Sequence, residues 1–208
     1  MAEPFRGFPR EGIEFLERLA ANNNRDWFRA HRDVYERACR APMQALVAEL
    51  EPRFGPARIS RINRDARFSR GRPPYKTYIA AGLGGHYISL YPQGLYVGAG
   101  FRRSDPALLQ RFRAAVDDDK TGRQLQAIVR SLRRQRYAVA AHETLSSPPR
   151  GYAPDHPRAE LLRMKDIAAG RTFPPGPWLS TPRARERIDR VMTDTAGLVR
   201  WLQQNVTG

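Results

Sequence analysis

The 208-residue chain is 41% hydrophobic and 27% charged, the proportions of a folded domain with a sizeable core, and its formal net charge is +15. A lone cysteine, Cys39, excludes an internal disulfide and a thiolate zinc cluster, and no run approaches the roughly eighteen apolar residues of a membrane helix. The first ten residues lack the apolar stretch of a signal peptide, so the cytoplasm is the expected compartment and no membrane partner is expected.

Residues 12–54 read as three helices. Ile13, Leu16, Leu19 and Ala20 recur at helical spacing until the break at Asn22-Asn23-Asn24. Asn24 has the chemistry of an N-cap for a second helix, on which Trp27, His31, Val34 and Ala38 form a stripe beside Phe28, Tyr35 and Cys39. That setting makes His31 a boundary histidine and Cys39 a small buried hydrophobe. Pro42 opens a third helix with Met43, Leu46, Val47 and Leu50 inward, closed by Gly55-Pro56. Residues 1–57 hold nine basic and nine acidic side chains, and this block reads as scaffold.

From residue 58 the pattern changes to strands: Thr77–Ala81, His86–Tyr91 and Leu95–Phe101, with Gly84-Gly85 and Pro92-Gln93-Gly94 as hairpin turns. The arginine-rich run supplies the first strand and first connection, and Pro73-Pro74 makes residues 69–74 a loop. Gly98-Ala99-Gly100 lacks the third glycine of a dinucleotide fingerprint, because Arg103 stands there, and reads as a close backbone contact.

The charge excess is local. Between residues 58 and 76, seven basic groups (Arg58, Arg61, Arg64, Arg67, Arg70, Arg72 and Lys76) face Asp65 alone, supplying +6 of the +15. Guanidinium is shaped for bidentate contact with phosphate or carboxylate and stays charged at any working pH. Arg61, Arg64, Arg67, Arg72 and Lys76 are therefore the candidate anion ligands, with Asp65 orienting them, Tyr75 as an aromatic wall or hydroxyl donor, and Phe68 in support.

The run Arg61-x-x-Arg64-Asp65-x-Arg67-Phe68, with Tyr75 following, resembles the signature of a bacterial family of conserved hypothetical proteins, domain of unknown function 2461. Similarity extends to 22–28, Pro149-Arg150-Gly151-Tyr152, Asp155-His156-Pro157-Arg158 and Trp201-Leu202, nearly the whole chain. Two positions depart from it: Gly71 replaces an acidic or amide residue, and Arg72 replaces a lysine. The resemblance implies where the fold begins and ends, and no chemistry.

Beyond residue 103, Ser104-Asp105-Pro106 signals a capped helix beside Arg102 and Arg103, a second candidate anion wall. Leu108, Leu109, Phe112 and Val116 continue it, and Leu125, Ile128, Val129 and Leu132 mark the next helix. Asp117-Asp118-Asp119 between them fails as a calcium loop, since Ile128 stands at the position of the bidentate Glu, and reads as a turn with a cap. Arg130, Arg133, Arg134 and Arg136 read as a solvated face. Residues 137–141 suit one more strand, Leu161, Leu162 and Met164 a short helix, and the region from Thr181-Pro182 a terminal helix.

The expected fold is α+β: a small antiparallel β-meander with N-terminal and C-terminal helices packed over it, in one domain spanning 1–208 (helical block 1–57, strand-rich block 58–103, mainly helical block 104–208). No metal or cofactor is expected, because the four histidines (His31, His86, His142, His156) are scattered and standard catalytic motifs are absent. His156 beside Asp155 is a general-base candidate, set against a self-capping turn. The leading functional expectation is binding of a phosphorylated or carboxylated small molecule. Its alternatives are an enzyme acting on such an anion, a nucleic-acid-binding module using Tyr75, Tyr78, Tyr87, Tyr91 and Tyr96, and a structural arginine–aspartate network.

Overall fold

The computed structural model describes residues 3–65, 71–102 and 105–208. The fold is α+β, with strands in the order β1-β2-β3-β4-β6-β5: β1 Ala57–Ile59, β2 Ile79–Leu83, β3 His86–Tyr91, β4 Gly94–Phe101, β5 Ala138–Ala140 and β6 Ile167–Phe173. The chain forms two compact units, one of residues 1–97 and 172–190, the other of 98–171 and 191–208.

In the first unit, α1 (Arg10–Ala21) buries Phe15, Leu16 and Leu19, and ends where the Asn22 N–H and side-chain amide both donate to the Arg18 carbonyl. Asn24 caps α2 (Arg25–Ala30) as expected, accepting from the Trp27 N–H at 2.9 Å. The path beyond departs from the sequence expectation. A single α turn, α3 (Arg32–Val34), runs into a π-helical segment, Tyr35–Arg40, and without a break into α4 (Ala41–Phe54), which has Pro42 in its first turn, buries Met43, Leu46, Val47 and Leu50 as expected, and ends at Gly55. Proline lacks an N–H and clashes with the carbonyl four residues back, and the wider π turn ahead of it relieves both constraints.

The β2–β3 hairpin turns at Gly84 and Gly85, both in the left-handed region (φ +52° and +92°), with Leu83 opposite His86. A side chain at Gly84 would in addition strike the Phe54 carbonyl, so the approach of α4 to the hairpin turn requires glycine there. β1 stops at Ile59, and residues 60–65 do not continue it as the strand expected of the arginine run. Instead Asn63 bridges Tyr75, flanked by Arg64 N–H to Pro74 O and Lys76 N–H to Ile62 O, both 2.8 Å.

In the second unit, Asp105 caps α5 (Pro106–Asp117) and Asp118 caps α6 (Asp119–Arg134), accepting from the Lys120 and Thr121 N–H groups, so the aspartate run is a capped turn. The Asp155–Arg158 stretch locks this junction. Arg158, only 5% exposed, donates to the Val116 and Asp117 carbonyls at 2.6 Å each and reaches Asp119, while His156 Nε2 lies 3.1 Å from Asp117. The Trp201 indole N–H donates to Thr121 O, and its ring packs edge-on against Phe112. Met164, placed in the short helix α7 (Ala159–Arg163) by its sequence, lies just past it and bridges Thr144. β6 was not anticipated; it pairs antiparallel with β5, and a Cβ at Gly100 would meet the Ile167 carbonyl, the close contact expected at Gly98-Ala99-Gly100. The terminal helix is α8 (Arg183–Leu202).

Candidate functional site

The short α2 and α3 turns and the π segment place residues 25, 29, 32, 36 and 40 along one side of the helical path, the i, i+4, i+7 rhythm of one helix face. Arg25, Arg29, Arg32 and Arg40 are all exposed there, and with Arg61 they rim a cleft of about 320 Å³. Among the described lining residues Glu36 is the only acid; its carboxylate lies 3.8 Å from Arg32 and 3.6 Å from Arg40. Below the rim the wall is apolar. Phe28, Tyr35, Ile62 and Tyr75 are 2–8% exposed, and the Phe28 and Tyr75 rings stack at 4.1 Å. Burial pushes the Tyr35 phenol up to about 12 against the nearby Arg40, so it remains a neutral donor.

Tyr75 is held to the turn between α1 and α2 by the side chain of Asn23, which accepts from the Tyr75 N–H and donates to the Tyr75 carbonyl, each at 3.0 Å. Two of the candidate ligands are used in the same way. Arg64 Nε donates to Tyr75 O at 3.2 Å, and Lys76 Nζ donates to Arg61 O at 2.8 Å. Burial, and then the Arg64 charge, hold the Lys76 ammonium below its usual range. Arg61 and Tyr75 line the cleft; Arg72 and Asp65 are exposed; Arg67 and Phe68 lie outside the described residues. The four helical arginines were not among the sequence candidates, although their spacing is visible there.

His31 is the boundary residue expected: it stacks on Trp27 at 4.1 Å, Nδ1 bonds the Trp27 carbonyl at 2.8 Å, and Nε2 faces Arg18 at 3.2 Å. Arginine only donates, so Nε2 accepts and Nδ1 carries the proton. His156 is engaged by Asp117 rather than by Asp155. Burial drives the Cys39 thiol up to about 12, leaving it an inert core group.

Arg102 lies in the second unit, where a cleft of about 500 Å³ mixes it with Lys165, His142, Asp105, Glu143 and Asp166. Charge there is largely paired: Lys165 meets Glu143 at 2.7 Å, Asp166 accepts from the His142 N–H, and Asp105 caps α5. Arg103 lies outside the described residues. Arg130, Arg133, Arg134 and Arg136 are exposed, and Arg133 pairs with Glu160.

The tyrosines separate. Tyr75 belongs to the cleft, whereas strand alternation and the Gly82–Tyr87 and Ala80–Ser89 pairings put Tyr78, Tyr87 and Tyr91 on one sheet face, with Tyr96 beside Tyr87. Tyr87 is 37% exposed. Among the described residues no cluster of His, Cys, Asp and Glu could hold a metal ion, and no helix is long and apolar enough to cross a membrane. Compared with known families, residues 11–201 match one described as conserved hypothetical protein (DUF2461). No curated protein matches the chain.

Proposed function

The chain belongs to the DUF2461 family of conserved hypothetical proteins, a membership that names no reaction, and we propose from the cleft itself that it binds a phosphorylated or carboxylated small molecule. The observation that supports this is five guanidiniums around one small cleft against a single carboxylate among its described lining residues. Arginine presents paired donors that fit phosphate and carboxylate, and exposed arginines gathered without matching acids repel one another until an anion arrives. The cleft volume lies at the lower end of the range of small-molecule sites, and buried apolar groups with a few convergent polar ones are the usual lining. Arginines do not exchange protons at working pH, so the lining suits binding and charge stabilisation, with Glu36 the one carboxylate among the described lining residues.

A thermal-shift screen of phosphorylated metabolites and organic acids, run on wild type, Arg25→Ala and Arg29→Ala, tests the reading. A ligand at a hundred times its Kd stabilises by about 2.7 kcal/mol, roughly 5–10 °C for a chain of this size. Both arginines are exposed, so the variants are expected to melt with wild type when unliganded and to lose most of the ligand response. Equal shifts in wild type and both variants would place the anion elsewhere. Single-stranded nucleic acid is the second reading, favoured by the four tyrosines on one sheet face, and a short oligonucleotide in the same screen addresses it.

A further inference from the structure

The cleft is built in two chemical layers, and Glu36, the one acid among its described lining residues, is held loosely. Phe28, Tyr35, Ile62 and Tyr75 are buried and apolar, while Arg25, Arg29, Arg32, Arg40 and Arg61 stand exposed around them. An inorganic anion would use only the rim. Building on the anion-binding reading above, we propose that the ligand is an organic polyanion, its apolar planar body seated against the Phe28–Tyr75 floor and at least two negative charges at the rim, with Glu36 standing in for one of those charges while the cleft is empty.

Glu36 sits four residues after Arg32 and four before Arg40, and reaches both at 3.8 and 3.6 Å, longer than hydrogen-bond contact. The three side chains are 42–71% exposed, so these pairs contribute little to the fold. A phosphate dianion, bonding the same guanidiniums bidentately at about 2.7–2.9 Å, displaces the carboxylate at small cost. Among the described lining residues there is no second acid to read an amine, and Asn63 is the one side-chain amide, so recognition rests mainly on charge number and on the apolar body.

Calorimetric titration at pH 8 of wild type and Glu36→Gln with inorganic phosphate, 1-naphthyl phosphate and 1-naphthol decides it. The expected result is that naphthyl phosphate binds wild type about tenfold or more tighter than phosphate, the modest return on covering one ring face. Naphthol alone binds weakly, and Glu36→Gln tightens naphthyl phosphate several-fold because a like charge leaves the rim. Equal affinity for phosphate and naphthyl phosphate overturns the organic-body assignment and leaves a plain anion site standing. Weaker binding by a folded Glu36→Gln protein overturns the stand-in role. If neither anion binds, the anion-binding reading itself falls and this inference falls with it.

Discussion

Asn23 carries more of the site than any described arginine in the 61–76 run, because its one amide satisfies both backbone groups of Tyr75, 52 residues away. Replacing it with alanine strands the Tyr75 N–H, whereas the carbonyl keeps Arg64. The expected cost of Asn23→Ala is about 1–3 kcal/mol in denaturant unfolding, together with weaker anion binding as the Tyr75 wall loosens. Asn22→Ala, removing an exposed helix-end contact, is expected to cost less than about 1 kcal/mol. Equal stability of the two variants would show that the Asn23 clamp does not fasten the segment. Asn24 was legible as a cap because its partner is three residues on; Asn23 was not, because its partner is set by tertiary structure. Gly71 has a local explanation of the same kind. Its φ is +75° and a Cβ there would meet nothing within 4 Å, and this left-handed region favours glycine and, among other residues, asparagine and aspartate. The backbone conformation thus accounts for glycine here.

The helical path that carries the arginines shows what block-wise charge counting conceals. Nine acids and nine bases balance over residues 1–57, yet the helix sorts them: Arg37 turns toward Glu11 and Asp33, while Arg25, Arg29, Arg32 and Arg40 share the cleft side with Glu36. The stripe was present in the spacing, but its continuation past the end of α2 at His31 and through the π segment to Arg40 was not, because no short-range signal announces that segment. That segment is positioned by α1, where Gly12 lies so close to it that a Cβ would sit 2.3 Å from the Ala38 carbonyl. Gly12→Ala must therefore push α1 and the π segment apart. We expect a loss of about 1–3 kcal/mol or more, with anion affinity reduced because Glu36 and Arg40 move with the segment. Circular dichroism melts paired with a naphthyl phosphate titration check it, and an unchanged melting temperature would mean that the contact yields without cost. β6 escaped sequence reading for a different reason. Ile167-Ala-Ala-Gly-Arg-Thr-Phe173 has a centre of Ala168-Ala169-Gly170, residues depleted in strands, and its strand state is set by pairing with β5 and by the close approach at Gly100.

At the scale of the whole molecule, the α+β class was legible because period 3.6 and period 2 alternate in long blocks, whereas the interleaving of 172–190 with the N-terminal residues was not, since it depends on contacts far apart in sequence. Charge at this scale makes a prediction with two opposite signs. A net +15 destabilises the compact state through self-repulsion, and the Debye length shrinks from about 30 Å at 0.01 M salt to about 10 Å at 0.1 M. Adding sodium chloride is therefore expected to raise the melting temperature of the unliganded protein. The same screening weakens the attraction between the arginine rim and an anion, so the Kd for naphthyl phosphate should rise over the same series. The surface ion pairs, such as Arg10–Glu14 and Arg123–Asp119, are too exposed to reverse the first trend. The size of the second trend separates the two ligand classes. A single small dianion loses a few-fold in affinity, while a nucleic acid releasing counterions at six or more phosphates would lose about a thousandfold between 50 and 200 mM. Melting curves and titrations on one salt series supply both slopes. A Kd indifferent to salt would mean that the five arginines do not hold the ligand, and the search for its site would move to the tyrosine face of the sheet.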